Sequence, residues 1–159
     1  MKRSISAVLL IVSALWINVY ALSQSAKPVI GATSTVFVDD ANIGLLARVD
    51  SGAKICSIHA EDIRVKNAAA RKEDDIGKLV TFTIANKRGK KRELTAPIIN
   101  VSKVKTSEGS EVRYVVSLTL HTNGVEKLVH VNLNNRERMK YAMLIGSNFL
   151  KGMLIDVEQ

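Results

Sequence analysis

One hairpin constrains the fold of this chain more than any other sequence feature. Apolar residues alternate with other residues from position 112 to 120, which is the period of a half-buried strand. Asn123-Gly124 follows, and both residues tolerate the positive φ of a tight two-residue turn. Residues 125–133 repeat the alternation, so the apolar faces match in a single register. The predicted pairs are Leu118 with Val129, Val116 with Val131, and Tyr114 with Leu133.

Shorter strand patterns occur along the rest of the chain. Strands are predicted where apolar residues recur between turn signals, at residues 35–38, 45–49, 80–84, 94–98 and 98–104. A basic turn at residues 87–90 joins two of these strands into a second hairpin. Residues 62–75 and 135–141 are expected to form loops or single helical turns. Many short strands with one or two short helical turns predict an all-β domain, either a barrel or a sandwich.

The first segment of the chain has the pattern of an export signal. A positive charge at Lys2-Arg3 precedes an almost wholly apolar stretch that ends in the small-x-small site Ala21-Leu22-Ser23. The alternative is an uncleaved anchor, for which the apolar stretch is slightly short. We expect export to a bacterial periplasm, with no membrane span after removal of the signal. The expected organisation is a signal peptide at residues 1–23, an N-terminal extension at 24–34 and one folded domain at 35–159.

Charge and cysteine content narrow the classes of function. The chain has 23 Lys and Arg against 15 Asp and Glu, a net charge of +8 that falls to +6 without residues 1–23. An exported basic protein is expected to meet acidic peptides or an anionic envelope surface. Nucleic-acid binding is not expected, because the densest basic run, residues 87–92, contains no aromatic residue to stack on bases. The lone Cys56 excludes an internal disulfide framework and a zinc site built from cysteines.

Two short motifs carry the chemistry. The apolar residues 45–49 run into Asp50-Ser51-Gly52-Ala53. Taken alone, Asp-Ser-Gly is a common turn, because Asp and Ser bond their own backbone and Gly adopts positive φ. Near the C-terminus a second apolar run ends in Ile145-Gly146-Ser147-Asn148. The two motifs are worth considering together because each follows an apolar segment of strand length.

Together the motifs resemble the retropepsin-like aspartic peptidases, which carry Asp-Thr/Ser-Gly-Ala on one strand and Ile-Gly-Arg-Asn on a later one. Residues 50–60, 112–116 and 135–146 are similar to a bacterial branch of that group labelled an ATP-dependent zinc protease, some members of which are associated with ATP-grasp glutamate ligases. The resemblance extends from about residue 35 to 158. It implies an all-β fold, a small closed barrel of the retropepsin-like, or acid protease, type.

The resemblance also implies a mechanism. Aspartic peptidases hold two carboxylates around one water, and the pair shares a proton because two like charges so close do not both ionise easily. This chain has one such motif, so the site requires a homodimer in which each subunit supplies Asp50 to act on a peptide or protein substrate. The basic tip at residues 87–92 is a candidate flap over the cleft. The implied site consists of the catalytic Asp50, the active-site loop Ser51, Gly52 and Ala53, and a supporting loop of Ile145, Gly146, Ser147 and Asn148.

The chain departs from the family pattern at three positions. Ser51 replaces the commoner Thr and keeps its hydroxyl, Ser147 replaces the usual Arg and lacks its charge, and Asn135 stands where this branch has Asp. The sequence contains no His-Glu-x-x-His pair, and its three histidines are scattered. It also lacks a phosphate-binding Gly-rich loop. No metal, ATP or other cofactor is therefore expected.

Three hypotheses remain open at this point. The first is an exported, homodimeric aspartic endopeptidase that uses Asp50. The second is a retropepsin-like module that binds envelope peptides or a partner protein without cleaving, which the departure at Ser147 favours. The third is an exported β-domain in which Asp50-Ser51-Gly52 is only a turn. Oligomeric state separates them, because a monomer cannot assemble a site of two carboxylates.

Overall fold

The protein is described by a computed structural model that covers residues 26–106 and 109–158. The predicted signal peptide, residues 1–23, lies outside these residues. Within them the chain forms strands joined by short turns, and the all-β prediction is confirmed. The strands are β1 Val29–Gly31, β2 Thr33–Val38, β3 Ile43–Val49, β4 Cys56–His59, β5 Glu61–Val65, β6 Leu79–Ala85, β7 Lys91–Pro97, β8 Asn100–Thr106, β9 Gly109–Thr122, β10 Val125–Asn134, β11 Met143–Ile145 and β12 Leu154–Asp156. The helical segments are 3-10 turns at Asp39–Ala41 and Lys72–Asp75 and one short helix, α1, at Ser147–Leu150.

A closed ring of strands forms the barrel. Its order is β10-β4-β11-β3-β2-β9, and the β9–β10 hairpin closes it. Alternate residues of each strand point inward, and these are the buried apolar positions such as Leu45, Ile58 and Val131. The predicted small closed barrel is therefore confirmed, and β8 pairs with the outer edge of β9.

The register of the central hairpin follows the sequence pattern for most of its length. Thr122 pairs with Val125, Leu118 with Val129, and Val116 with Val131, as predicted. The expected pairing of Tyr114 with Leu133 is wrong. The ladder ends one step earlier, at Val115 and Asn132. Beyond it, Tyr114 pairs with Val101 of β8 and Leu133 pairs with Ile58 of β4.

The second predicted hairpin is present as β6 and β7, which form a three-stranded sheet with β5. Residues 62–65 of β5 were expected to lie in a loop or a short helix that extends to residue 75. They pair with β6 through an irregular register, and Glu-Asp-Ile-Arg-Val has no apolar alternation that could reveal the strand. The short strands β1, β4, β11 and β12 were also not predicted. Strand β1 and the start of β2 fall within residues 24–34, so β structure extends into the expected N-terminal extension.

The described residues include no helix that is both long and apolar enough to span a membrane.

Candidate active site

The Asp50 carboxylate lies where β3 ends and the chain turns back. The Asp50 N–H donates to the carbonyl of Ile145 (3.0 Å), and its carbonyl accepts from the N–H of Ala53 (3.2 Å). Asp50 Oδ1 accepts a hydrogen bond from the N–H of Gly52 (3.1 Å), so the loop holds its own carboxylate. Asp50 is half-buried, while Ser51 and Gly52 are exposed. The carboxylate is thus fixed in a tight turn at the protein surface.

Gly146 supports this loop from the neighbouring strand. Strand β11 lies between β3 and β4 and runs parallel to β3. A Cβ atom at Gly146 would lie 2.5 Å from the carbonyl carbon of Ile55 and 2.6 Å from its oxygen. A Cβ atom does not approach non-bonded backbone atoms so closely, so any side chain here would force the Ile55 backbone to shift. The two loops are held together beside it by the Ser147 N–H, which donates to the Ala53 carbonyl (2.8 Å).

Ser147 and Asn148 complete the contact between the loops. Ser147 Oγ donates to the carbonyl of Lys54 (3.2 Å). Asn148 Oδ1 accepts from the N–H of Cys56 (3.0 Å) and from its thiol (3.3 Å), and Asn148 Nδ2 donates to the carbonyl of His130 (2.8 Å). Burial raises the pKa of the Cys56 thiol to about 11. The thiol therefore stays protonated at neutral pH and serves this network rather than acting as a nucleophile.

A row of side chains crosses the strands beside the carboxylate. Leu144 of β11 pairs with Arg48 of β3 on one side and with Ser57 of β4 on the other. Arg48 and Asp50 are two residues apart, so they share the outward face of the sheet. Ser57 Oγ donates to Asn132 Oδ1 of β10 (2.9 Å), so the same row of side chains continues onto β10.

Arg136 is a charged residue near Asp50 to which the sequence analysis gave no role. Its N–H donates to His59 Nδ1 (2.9 Å) and its Nε donates to the Tyr141 carbonyl (3.2 Å). Burial, followed by repulsion from Arg113, lowers the pKa of the Arg136 guanidinium, while the Asp50 carboxylate opposes this shift. Two arginines therefore lie within electrostatic range of each other on this side of the barrel. Residues 135–141 were predicted to form a loop or a helical turn and were noted for their family resemblance. No local pattern indicates which of their basic residues is partly buried.

The candidate flap at residues 87–92 is not placed over the carboxylate. Lys90 Nζ donates to the carbonyl of Asn42 (2.6 Å), which precedes β3 and so lies at the opposite end of that strand from Asp50. Lys87 Nζ donates to the Met139 carbonyl (3.2 Å). The tip is docked on the barrel because its lysines reach backbone carbonyls there. The β8–β9 hairpin is a second two-stranded ribbon, and its strand β9 carries Arg113.

The histidines do not converge on a metal site. His59 contacts Glu61, His121 contacts Asp39, and His130 pairs with Ser117 across the hairpin, as the predicted register requires. Over residues 26–106 and 109–158, no three side chains of His, Cys, Asp or Glu are grouped to hold a metal ion.

Comparison with known families gives a match over nearly all of the described chain. The family model described as "RimB-like: Retropepsin-like aspartic endopeptidase RimB" matches residues 29–159. This confirms the retropepsin-like group inferred from Asp50-Ser51-Gly52-Ala53 and narrows it, since the branch labelled a zinc protease is only loosely related.

Three curated relatives are longer than this chain. A protein of Desulfotalea psychrophila named "Probable alpha-L-glutamate ligase" is 32% identical over 135 residues, which cover 82% of this chain and 28% of that protein. Proteins of the same name from Shewanella pealeana and Shewanella halifaxensis are each 35% identical over 101 residues. The chain thus spans between a fifth and a third of the length of these curated relatives.

A solved structure shares the fold. A crystal structure of a Legionella pneumophila protein described as having unknown function is similar with a TM-score of 0.66 and 26% sequence identity. The similarity covers 84% of this chain and 96% of that chain.

Proposed function

The chain belongs to the RimB-like family of retropepsin-like aspartic endopeptidases, and on this premise we propose that it hydrolyses peptide bonds with water activated by Asp50. The observation that carries the proposal is the position of that carboxylate. It is fixed by the Gly52 N–H in an exposed turn, and the turn rests against Gly146, where a side chain does not fit. A plain surface turn has no need of such support. The arrangement supplies one half of an aspartic peptidase site.

The second half is proposed to come from a second copy of the chain. Two Asp50 carboxylates at a two-fold axis would share one proton and bind one water. One carboxylate removes a proton from that water, and the other donates its proton to the carbonyl oxygen of the substrate. Ser51 and Gly52 are exposed beside Asp50, which leaves this loop open to a facing copy.

The proposed interface lies beside the same loop. Strands β1 and β12 pair in parallel, and the chain leaving β1 binds the active-site strand through Ala32, whose carbonyl accepts from the Val49 N–H (3.0 Å). The β1–β12 pair exposes large apolar side chains, among them Val29, Leu154 and Ile155. Exposed apolar side chains next to an incomplete site favour burial against a second copy.

We further propose that the substrates are acidic peptides. The net charge of +8, or +6 without residues 1–23, favours anionic partners. Arg48 shares a sheet face with Asp50, and Arg113 and Arg136 lie in electrostatic range of each other. The relatives named alpha-L-glutamate ligase point in the same direction, because their name concerns glutamate. The proposed place of action is the periplasm, which rests on the pattern of residues 1–23 alone.

Peptide-library digestion tests the proposal. Residues 24–159 would be incubated with the library across acid to neutral pH, at a concentration high enough for a weak dimer, beside Asp50→Asn. Cleavage by the unmodified chain that vanishes in the variant is the expected result. An equal mixture of the two chains should show about a quarter of the activity of the unmodified chain at the same total concentration. Only dimers with two intact carboxylates are active, and random pairing makes about a quarter of the dimers of this kind. Cleavage that survives in Asp50→Asn would contradict the assignment.

A non-catalytic peptide-binding module is the second candidate. The observation that favours it is Ser147, which bonds the Lys54 carbonyl where the family has an arginine charge. A chain shown to be dimeric that binds acidic peptides without cleaving them would support this candidate over the peptidase.

A further inference from the structure

We propose that a cavity between β4, the β6–β7 turn and residues 135–142 binds an acidic side chain of the substrate, and that Arg136 binds the carboxylate of that side chain. The inference rests on the proposed function, because it treats the cavity as part of the peptide-binding cleft. It names a specificity-determining residue and limits how far the bound acidic side chain lies from the scissile bond.

The cavity is a recess of about 290 Å³ beside the barrel, lined by both apolar and charged residues. Its floor comes from the end of β4 and the residue that precedes β11, and its wall comes from the basic turn of the β6–β7 hairpin. The side chains that matter for its charge are His59, Glu61, Lys87, Lys91, Arg136 and Glu137. Three cations therefore face two carboxylates in this recess.

Two of these five charges, Lys91 and Glu61, are already paired with each other. Lys91 Nζ donates to Glu61 Oε2 (2.7 Å), and His59 Nε2 contacts the other oxygen of Glu61 (3.0 Å). His59 Nδ1 accepts the Arg136 N–H, so it carries no proton, and Nε2 is the donor to Glu61. The contacts of Lys91 and His59 lower the pKa of Glu61, which stays ionised. Neither Glu61 nor Lys91 is then available to a ligand.

The Arg136 guanidinium is the half-buried cation that remains. Its Nε bonds the Tyr141 carbonyl, and it forms no ion pair with an acidic side chain of residues 26–106 or 109–158. Arg113, its cationic neighbour, is paired with Glu111 (2.7 Å). The Asp50 carboxylate acts on this guanidinium from a distance but forms no ion pair with it. A guanidinium that is partly desolvated and in electrostatic range of Arg113 gains from a directly bound anion. The planar fork of its two terminal nitrogens matches a carboxylate in geometry.

Lys87 is placed to assist Arg136. It lies on the turn that forms the cavity wall, and its ammonium contacts the carbonyl of Met139 in the same loop as Arg136. Glu137 also lines the recess, but it is exposed to solvent, so its repulsion of a ligand is screened. The recess therefore presents a free positive charge to a peptide.

The strand register relates the cavity to Asp50. Asp50, Arg48 and Leu46 share one outward face along β3. If the β3–β11 register is extended by one residue, Ala142, which precedes β11, lies beside Leu46. His59 of β4 lies next to Ala142, because its N–H donates to the Ala142 carbonyl. The cavity floor is therefore four residues from Asp50, about 13 Å at 3.3 Å per residue. An extended peptide has the same rise, so a carboxylate held at the cavity floor belongs to a residue about four positions from the scissile bond. The Arg136 guanidinium lies in electrostatic range of Asp50, so a carboxylate that it binds belongs to a residue at most that far away.

Peptide binding to an inactive chain tests the cavity without requiring cleavage. Fluorescein-labelled octapeptides of Gly and Ala, each with Glu at one position, and matched peptides with Gln, would be titrated by anisotropy against the Asp50→Asn chain at fixed low salt. The Glu peptides should bind about tenfold more tightly than the Gln peptides, as expected for one charge-assisted pair. Arg136→Gln should abolish this difference, Arg136→Lys should retain part of it, and Lys87→Gln should reduce it.

The matched control is Arg88→Gln, a neighbouring basic residue of the same turn that does not line the cavity. It should leave the preference for Glu within twofold. Equal binding of Glu and Gln peptides by the Asp50→Asn chain would overturn the inference, as would an equal loss for both peptides in Arg136→Gln. Failure of the unmodified chain to cleave any peptide would instead contradict the proposed function, so the two failures are distinguishable.

Discussion

Two glycines of the site loops meet different requirements at the residue scale. Gly146 has an extended backbone with φ −88°, so it is not required for a left-handed conformation, but a Cβ there would collide with the backbone of Ile55. At Gly52 an added Cβ would meet only Asp50 Oδ1, at 3.4 Å, which is ordinary contact. Within one chain, glycine is thus needed at position 146 for space and is not needed at position 52.

Alanine substitutions should separate the two positions. Gly146→Ala should lower the free energy of unfolding by about 1–3 kcal/mol, because rigid backbone atoms have to move to admit the methyl group. Gly52→Ala should leave it nearly unchanged. Urea denaturation followed by circular dichroism of both variants measures the difference. Equal stability of the two variants would show that the Ile55 backbone yields at little cost.

The residues of the site were predictable to the extent that they carry a local motif. Asp50 and Gly146 belong to short sequence motifs whose residue types are required by a tight turn and by a close backbone approach. Arg136 belongs to no such motif. Its proposed role depends on its partial burial beside His59 and on its position relative to Arg113 and Asp50, which only the assembled barrel determines.

At the scale of elements, a segment between β5 and β6 fastens the base of the β8–β9 hairpin. Asp75, at the end of a 3-10 turn, is fully buried and accepts hydrogen bonds from Tyr114 Oη of β9 (2.6 Å), Lys78 Nζ (2.7 Å) and the Ala69 N–H (2.8 Å). Lys72 Nζ donates to the carbonyl of Val112 on the same strand (2.8 Å). The outer face of the hairpin is therefore tied to this segment where it leaves the barrel.

Tyr114→Phe should weaken this attachment. The variant leaves a buried carboxylate with one donor fewer, which should cost about 1–2 kcal/mol in the free energy of unfolding. The hydrogen bonds of Lys78, Tyr114 and Ala69 lower the pKa of Asp75 to about 2 from its ordinary value of 3.8. Because the folded pKa is the lower one, Asp75 contributes stability above about pH 4 and loses it as the pH falls toward 2.

Denaturation in urea at pH 7, 4 and 2 measures this effect. The unmodified chain should lose stability between pH 4 and 2, and Tyr114→Phe should lose less in that interval because one lowering contact is gone. Tyr141→Phe is the control, since the Tyr141 hydroxyl has no hydrogen bond to any residue in the described part of the chain. An unchanged stability of Tyr114→Phe at pH 7 would contradict the assigned role of this contact.

Strands with a clear period were the predictable elements. The β9–β10 and β6–β7 hairpins have alternating apolar residues and turn signals, and both are present. Strands β4 and β11 are buried on nearly every residue or have only three residues, so they show no alternation. Strand β5 is held by its neighbour β6, and its own residues are mostly exposed and polar. The pairings that close the barrel are long-range and could not be derived from local patterns.

At the scale of the whole molecule, the proposed activity depends on what covers the β1–β12 pair. Retropepsin-like proteins generally act as dimers on peptide substrates. In this chain both terminal strands are short and pair with each other in parallel next to the Asp50 loop. Their exposed apolar side chains are the surface that a second copy is proposed to bury.

Leu154→Arg should therefore disrupt assembly and activity together. Leu154 of β12 is 53% exposed, so an arginine there fits a single chain but places a charge in the proposed interface. Leu128→Arg on β10 is the matched control, because Leu128 is also an exposed leucine, at 70%. Sedimentation velocity over a range of concentrations should show a dimer for the unmodified chain and Leu128→Arg, and a monomer for Leu154→Arg.

Peptidase activity should fall on dilution of the unmodified chain and be lost in Leu154→Arg, since a single chain holds one Asp50. A monomeric Leu154→Arg chain that still cleaves peptides would refute the two-carboxylate site, whereas a dimeric one would move the interface away from β12.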